Sequence, residues 1–336
     1  MRKTIWYDFT NVPHVNFLLP IYKHLKTSYD STFTVRDFAE TKFLFEKEFG
    51  SNYYLVGKHK GQSKISKIFG VFERILHFSK LIKRFDVKIS VGGDSSCIYA
   101  KLKGKKSITF DDNEKAPNWR YSYFSDFAFW PAAIPTQALL KQGFKKAKLF
   151  QYDGFKEDLY IADFKPDENF LQNIPFKKYV VVRPENIQAN YVSNNSSIVP
   201  ELLRLLEIRG YNVLFLPRYE HDKQYSKGSK QIYVPPAPLN GLDICYHADA
   251  VLTGAGTLAR EAACLGVPAI SFYAGKELLT VDQKMIANEW MFFSRNPNEI
   301  LEYLQNSTRK KPDLSRSLMV KSQILQKLDE ILDFGK

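Results

Sequence analysis

Short runs of β-branched and aromatic residues alternate with longer stretches of helical periodicity along nearly the whole chain, and this alternation limits the fold more than any other feature. Parallel strands need a long crossover between them, usually a helix, and strands covered on both faces read as continuous apolar runs. The pattern therefore predicts an α/β protein with parallel sheets. Strands are expected at Thr4–Asp8, Thr32–Val35, Tyr53–Val56, Val87–Val91, Lys106–Phe110, Phe127–Phe129, Tyr179–Arg183, Asn212–Pro217, Gln231–Val234, Ala250–Leu252 and Ala269–Phe272. Helical patterns cover Asn16–Thr27, Ala39–Glu48, Ile65–Arg84, Ser95–Leu102, Ser197–Arg209, Gly241–His247, Thr257–Leu265, Asp282–Asn288, Asn298–Gln305 and Leu314–Leu332.

A length of 336 residues suits two domains. The stretch Asp153–Pro175 is poor in strand formers and carries Lys165-Pro166-Asp167 and Ile174-Pro175, so it reads as the connection. We expect two Rossmann-like domains, residues 1–160 and 161–336, with their parallel sheets facing a central cleft and the last helix packing back on the first domain. Ligands of such sheets bind outside the carboxyl ends of the strands, which places the expected site in that cleft.

Several classes are excluded. With 44% hydrophobic and 25% charged residues, the chain is neither disordered nor a small disulfide scaffold. No apolar run reaches the length of a spanning helix. Asp8 and His14 interrupt the apolar start, which reads as a strand and loop and not as a signal peptide. Cys97, Cys245 and Cys264 lie far apart with no CxxC pair, so they read as reduced core residues of a cytoplasmic protein. No metal or cofactor is expected.

The charge is uneven. Lys and Arg number 48 against 36 Asp and Glu, a net +12, and residues 56–106 alone carry 13 basic and 3 acidic side chains. Such a segment favours an anionic partner. Nucleic acid is disfavoured, because the aromatic residues lie along apolar strands and helices instead of forming stacking platforms.

Four groups of residues carry candidate chemistry. In Ala250-Val-Leu-Thr-Gly254-Ala-Gly256-Thr257, a strand ends in a glycine turn and a helix opens. Such a turn lets backbone N–H groups meet a phosphate at the positive end of a helix. Gly254-x-Gly256-x-x-Ala259 also fits the dinucleotide fingerprint, but the next strand ends without the acidic residue that would hold a ribose. Arg260 and Glu261 follow on the same helix, as partners for phosphate and ribose. Gly92-Gly93-Asp94 ends the strand Val87–Val91, and Asp111, Asp112 and Glu114 end Lys106–Phe110, offering carboxylates for general-base work. Asn11, Pro13 and His14 follow the first strand, where a histidine could exchange a proton or a hydrogen bond with substrate.

The stretches IWYDFTNVPHVNFLLPI, TVRDFAETKFL, FDDNEKAP, YDGFKEDLYIADFKPD, VVRPEN and GAGTLAREAACLGVPAISFYAGKELLTVDQ, kept in order along nearly the whole chain, resemble the DUF354 family. That family is related to the GT-B superfamily, and more distantly similar to the non-hydrolysing UDP-N-acetylglucosamine 2-epimerases and the MurG-type glycosyltransferases. The resemblance implies donor diphosphate binding at Gly254, Gly256 and Thr257, ribose contact at Glu261, and donor-sugar contact at Asp282 and Gln283. It implies catalytic carboxylates at Asp94 and at Asp112 or Glu114. Asn11, Gly93 and Arg260 complete the expected donor-binding set, and His14 the catalytic one. Where epimerases carry a functional histidine, this chain reads Val181-Val182-Arg183-Pro184-Glu185-Asn186. Arg183, Glu185 and Asn186 are expected to bind nucleotide, and the missing histidine ranks glycosyl transfer above epimerisation or a non-catalytic role.

The implied partners are a nucleotide-diphosphate sugar, most simply a UDP-sugar, and an acceptor glycan or lipid-linked glycan in surface polysaccharide synthesis. Lys64, Lys67, Lys80 and Lys83 lie among apolar residues of the basic segment. They are expected to meet anionic lipid on the inner face of the cytoplasmic membrane.

Overall fold

The computed structural model describes residues 2–37, 41–58, 64–186 and 197–333, with the backbone course alone at 58 and 64–68. The chain forms two compact units, Met1–Ala162 with Arg316–Lys336, and Asp163–Ser315.

In the first unit the order is β1 (Thr4–Phe9), α1 (Val12–Leu25), β2 (Asp30–Asp37), α2 (Thr41–Phe49), β3 (Tyr54–Lys58), α3 (Lys64–Leu81), β4 (Val87–Val91), α4 (Asp94–Leu102), β5 (Lys106–Phe110), α5 (Trp119–Ser122), β6 (Phe127–Pro131), α6 (Thr136–Lys141), β7 (Leu149–Tyr152) and α7 (Asp158–Ile161). Its seven strands pair in parallel in the order β3-β2-β1-β4-β5-β6-β7.

The second unit runs β8 (Val180–Arg183), α8 (Val199–Ile208), β9 (Val213–Phe215), β10 (Ile232–Tyr233), α9 (Gly241–His247), β11 (Ala250–Thr253), α10 (Gly256–Cys264), β12 (Ala269–Ser271), α11 (Thr280–Ala287), β13 (Met291–Phe293) and α12 (Pro297–Asn306). Its six strands are parallel in the order β10-β9-β8-β11-β12-β13. The chain ends in α13 (Leu314–Asp333), which from Arg316 onward belongs to the first unit.

Both sheets reverse their winding once, between β1 and β4 and between β8 and β11. At such a switch the loops leaving neighbouring strands diverge to opposite faces, and the crevice they leave is where ligands bind. The expected site residues cluster at these two positions. Asn11 and His14 follow β1, and Gly93 and Asp94 follow β4. Arg183 ends β8, with Glu185 and Asn186 close behind it, and Gly254 to Thr257 follow β11.

The alternation of side chains along β1 divides the first core in two. Phe9 packs edge-on to Phe45 of α2 with ring centres 4.9 Å apart. Trp6 points to the other face, edge-on to Phe78 of α3 at 4.7 Å and to Tyr99 of α4 at 5.8 Å. Its indole N–H, which must find an acceptor once buried, donates to Thr34 Oγ1 at 2.9 Å. Asp8 follows Trp6 on that face and is fully buried. In the second unit Val180, Val182, Leu202, Leu206, Phe215, Leu252 and Ile300 form one core.

Three differences from the expected elements have physical causes. Helix α1 starts at Val12 rather than Asn16. Asn11 Oδ1 accepts from the Val12 N–H at 2.9 Å, and Pro13 fits the first turn, where its missing N–H costs nothing. Strands β7 and β13 were not expected. Each is an edge strand, so neither needs the continuous apolar run of a central one, and β7 reads Leu-Phe-Gln-Tyr. Residues 39 and 40 of the helix expected at Ala39–Glu48 lie outside the described residues.

The YDGFKEDL stretch seats α13. Buried Asp158 accepts from Arg316 Nε at 3.1 Å and from Ser317 Oγ at 2.7 Å. Gly154 is required beside it, because any side chain there would overlap Val320 of α13.

Candidate functional site

The switch point of the second unit is built around a backbone-to-backbone approach. The Gly254 N–H donates to the Arg183 carbonyl at 3.0 Å. A Cβ on Gly254 would lie 2.5 Å from Glu185 Cα and 2.7 Å from its nitrogen, so only glycine fits. Helix α10 then opens with Ala255 at its N-cap and no side chain capping it. The first turn of a helix leaves backbone N–H groups without intrahelical partners, and they carry partial positive charge. This turn has the composition and place of an anion site.

The expected binding residues around it divide by what they touch. Glu185 is buried, and its carboxylate accepts from Ser197 Oγ at 2.6 Å and the Ile198 N–H at 3.1 Å and pairs with Arg295 at 3.2 Å. It braces β8 to the start of α8. Arg260 lies beneath the glycine turn, bonded to Asp282 at 2.8 Å, and both are buried. Arg260 Nη1 lies 2.9 Å from where a Cβ of Gly256 would be, so Gly256 makes room for the guanidinium. Glu261 is buried next to the start of α9, its Oε2 3.8 Å from the Cβ position of Gly241. Asn186 Oδ1 accepts from Tyr219 Oη at 2.6 Å. Gln283 is exposed and donates to the Leu278 carbonyl at 3.1 Å. Arg218 and Tyr219, which follow β9, were not singled out from the sequence. Arg218 Nε holds the Pro184 carbonyl at 3.3 Å. Their signal was their place just beyond a strand's carboxyl end, at Leu216-Pro217-Arg218-Tyr219.

At the switch point of the first unit, Gly92 and Gly93 adopt left-handed backbone with φ of 56° and 107°, which favours glycine. Asp94 opens α4. Burial raises its carboxyl above the usual range, while Arg120, 3.8 Å away, pulls it back. Asp111 is pushed up to about 6 by burial and by the neighbouring Asp112 charge. Its oxygens accept from Tyr121 Oη at 2.7 Å and from the N–H groups of Asp112 and Asn113 at 2.8 and 3.1 Å. Asp112 pairs with Lys156 at 2.9 Å, and both are buried. Glu114 is also buried, its carbonyl taken by Gln142.

His14 lies in the first turn of α1. Its Nδ1 faces Thr10 Oγ1 at 3.2 Å and accepts from the Thr10 N–H at 3.4 Å. Burial, and then the Lys156 charge, bring it down to about 3. The histidine is therefore neutral at physiological pH. Asn11 caps α1 and is exposed. Among the described residues, no three His, Cys, Asp or Glu side chains come together as a metal site.

Comparison with known proteins begins with the family. The model of DUF354, described as a protein of unknown function, matches residues 3–329. The chain belongs to the DUF354 family. In sequence the chain is similar to the uncharacterised protein MJ0665 of Methanocaldococcus jannaschii, 26% identical over 321 residues, 91% of this chain and 92% of that one.

Solved structures share the fold of this DUF354 protein. The UDP-GlcNAc 2-epimerase of Methanocaldococcus jannaschii in complex with UDP-GlcNAc and UDP superposes with a TM-score of 0.72 at 18% identity, over 98% of this chain and 99% of that one. The UDP-N-acetylglucosamine 2-epimerase of Rickettsia bellii gives 0.72 at 14% identity, over 99% and 98%. The glycotransferase of kitacinnamycin gives 0.67 at 10% identity, over 99% of both chains. The DUF354 protein is thus an α/β protein of GT-B-like fold, with parallel sheets of seven and six strands.

Proposed function

We propose that this DUF354 protein binds a UDP-sugar and transfers its glycosyl group to an acceptor hydroxyl. The observation that carries this reading is the turn from Gly254 to Thr257, held against the Glu185 backbone, with the uncapped start of α10 behind it. There the diphosphate takes the helix N–H groups. Charge building on it as the glycosyl bond breaks is stabilised by donors already in place. Arg260, held by Asp282, adds a buried positive group beneath the turn. The likeness in fold to enzymes whose bound ligands are UDP-GlcNAc and UDP supports a UDP-sugar over other nucleotides.

In the first unit we assign the acceptor's base to Asp94. Asp112 is neutralised by Lys156 and Asp111 has its oxygens engaged, whereas Asp94 faces Arg120 at 3.8 Å, with weaker influence from Arg74 and Lys88. Its raised proton affinity makes it a stronger base than an ordinary aspartate. Epimerisation is the second reading, favoured by the fold match to 2-epimerases. Incubation of UDP-GlcNAc in deuterated water separates the two. Transfer predicts UDP release only with an acceptor glycan, abolished in Asp94→Asn. Deuterium at the sugar C2 without acceptor would overturn it in favour of epimerisation.

We also assign the outer face of α3 to an anionic membrane surface. Phe69, Phe72 and Leu76 are 66%, 62% and 62% exposed, at the spacing of one helical stripe that exposed Lys80 continues, and exposed Lys83 follows just beyond the helix end. The side chains of Lys64 and Lys67 lie outside those described. No described helix is long and apolar enough to cross a membrane. An apolar stripe edged by lysines fits lipid with negative headgroups, each cation near the surface contributing about 1 kcal/mol. Charge-reversed Lys80→Glu/Lys83→Glu protein should lose sedimentation with phosphatidylglycerol vesicles, and unchanged sedimentation would refute the assignment.

A further inference from the structure

The Lys156–Asp112 pair has no part in the chemistry assigned above, yet both groups are buried beside the start of α1. Lys156 belongs to the loop between β7 and α7, and α7 packs against α1. A buried ion pair gains little stability over an apolar pair of the same size, so its presence asks for another reason.

That reason lies in His14. Its Nδ1 accepts from the Thr10 N–H, which leaves the ring proton on Nε2, and Nε2 has no partner among the described residues. We infer that His14 is a fixed hydrogen-bond donor to an oxygen of the bound ligand, and that Lys156 is the positioning residue that screens it from the Asp112 carboxylate. This rests on the reading of the first unit as a ligand-binding half of a sugar-nucleotide enzyme.

The charges facing His14 are Asp8 of β1, Arg74 of α3, Asp112 after β5 and Lys156. Asp8 is already held by Arg74 at 2.7 Å and Thr34 at 2.8 Å. Lys156 offsets Asp112 in the same way. Burial opposes the charged ring most strongly, and without Lys156 the Asp112 carboxylate would work against that burial, because an opposite charge nearby favours the charged form. Protonation would place a hydrogen on Nδ1, which could then no longer accept from the Thr10 N–H, and the ring would lose the bond that fixes its orientation. A neutral imidazole holds that direction and loses no proton during the reaction.

Nitrogen-15 NMR of His14 in the whole protein tests this directly. The wild type should show the Nε2–H tautomer and no protonation between pH 8 and 5. Lys156→Met should raise the midpoint above the wild-type value, with burial still holding it below the ordinary 6.5, and Lys156→Arg should restore the wild-type behaviour. Asp112→Asn, which leaves a cation beside His14, should keep the ring neutral and serves if Lys156→Met does not fold. A wild-type Nδ1–H tautomer, a midpoint near 6.5, or an unmoved midpoint in Lys156→Met would overturn the inference. Added UDP-GlcNAc should shift the Nε2–H signal; bound UDP-GlcNAc with an unshifted signal would overturn the donor role. Absence of UDP-GlcNAc binding would instead overturn the sugar-nucleotide reading, while the tautomer and its dependence on Lys156 are read without ligand.

Discussion

Replacing Gly254 with alanine isolates the feature on which the proposed nucleotide site depends. Gly254 is not in the left-handed region, so alanine is compatible with its backbone, and the effect is one of space alone. The added Cβ would stand 2.5 Å from Glu185 Cα and 2.7 Å from its nitrogen and Cγ. Carbon atoms at ease are separated by about 3.5–4.0 Å. Roughly 1 Å must therefore open between β8 and β11, which are central strands of the sheet. Overpacking of this kind costs about 1–3 kcal/mol, and the backbone on the receiving side puts Gly254→Ala at the upper end. For a unit of this size, each 1 kcal/mol lowers the melting temperature by about 2–4 °C, giving a loss of about 4–12 °C. Displacement of the turn should also weaken UDP binding at least tenfold at a temperature where the variant is folded. Gly241→Ala is the control. Its Cβ would meet nothing closer than Glu261 Oε2 at 3.8 Å, so melting and binding should stay as in the wild type. Calorimetry of unfolding and titration with UDP read both quantities. Gly254→Ala protein with wild-type melting and UDP affinity would refute the reasoning.

Two further outcomes test the first unit. Asp111 holds its proton up to about 6 when folded, above its ordinary value of 3.8, so the folded state binds more protons than the unfolded one between those pH values. Stability must then fall as pH rises through that window, by up to about 3 kcal/mol. Asp111→Asn should flatten this part of a denaturation–pH profile, and an unchanged slope would contradict it. Asp158→Asn removes the buried charge that pairs with Arg316 and one of the two acceptor oxygens, a loss of about 3–5 kcal/mol, and should open α13 to limited proteolysis before the rest of the chain. Digestion at the wild-type rate would count against the seat assigned to that helix.

The central strands were legible because burial on both faces imposes a continuous apolar run. Val87–Val91 and Lys106–Phe110 were read to the residue. Edge strands β7 and β13 escape that constraint and were not. The glycines after β11 could be placed from sequence, since a strand end, two glycines and a helix pattern leave few conformations. What Glu185 does could not. Its carboxylate is taken up by Ser197, Ile198 and Arg295, groups 12 to 110 residues further along the chain, and no local pattern reports such a contact. Arg260 was read as a phosphate partner, with Asp282 as a sugar contact. Their mutual bond appears only when α10 and α11 pack side by side. Lys156 stood within a quoted family stretch, but its value comes from Asp112, 44 residues earlier. Position at a strand end was the readable signal, and pairing across the sheet was not.

The central claim is that the turn from Gly254 to Thr257 holds a nucleotide diphosphate. Calorimetric titration of the full chain with UDP measures it with no assumption about sugar or acceptor. The account predicts one site of micromolar affinity, about −7 to −8 kcal/mol. Absence of binding up to millimolar UDP would contradict it.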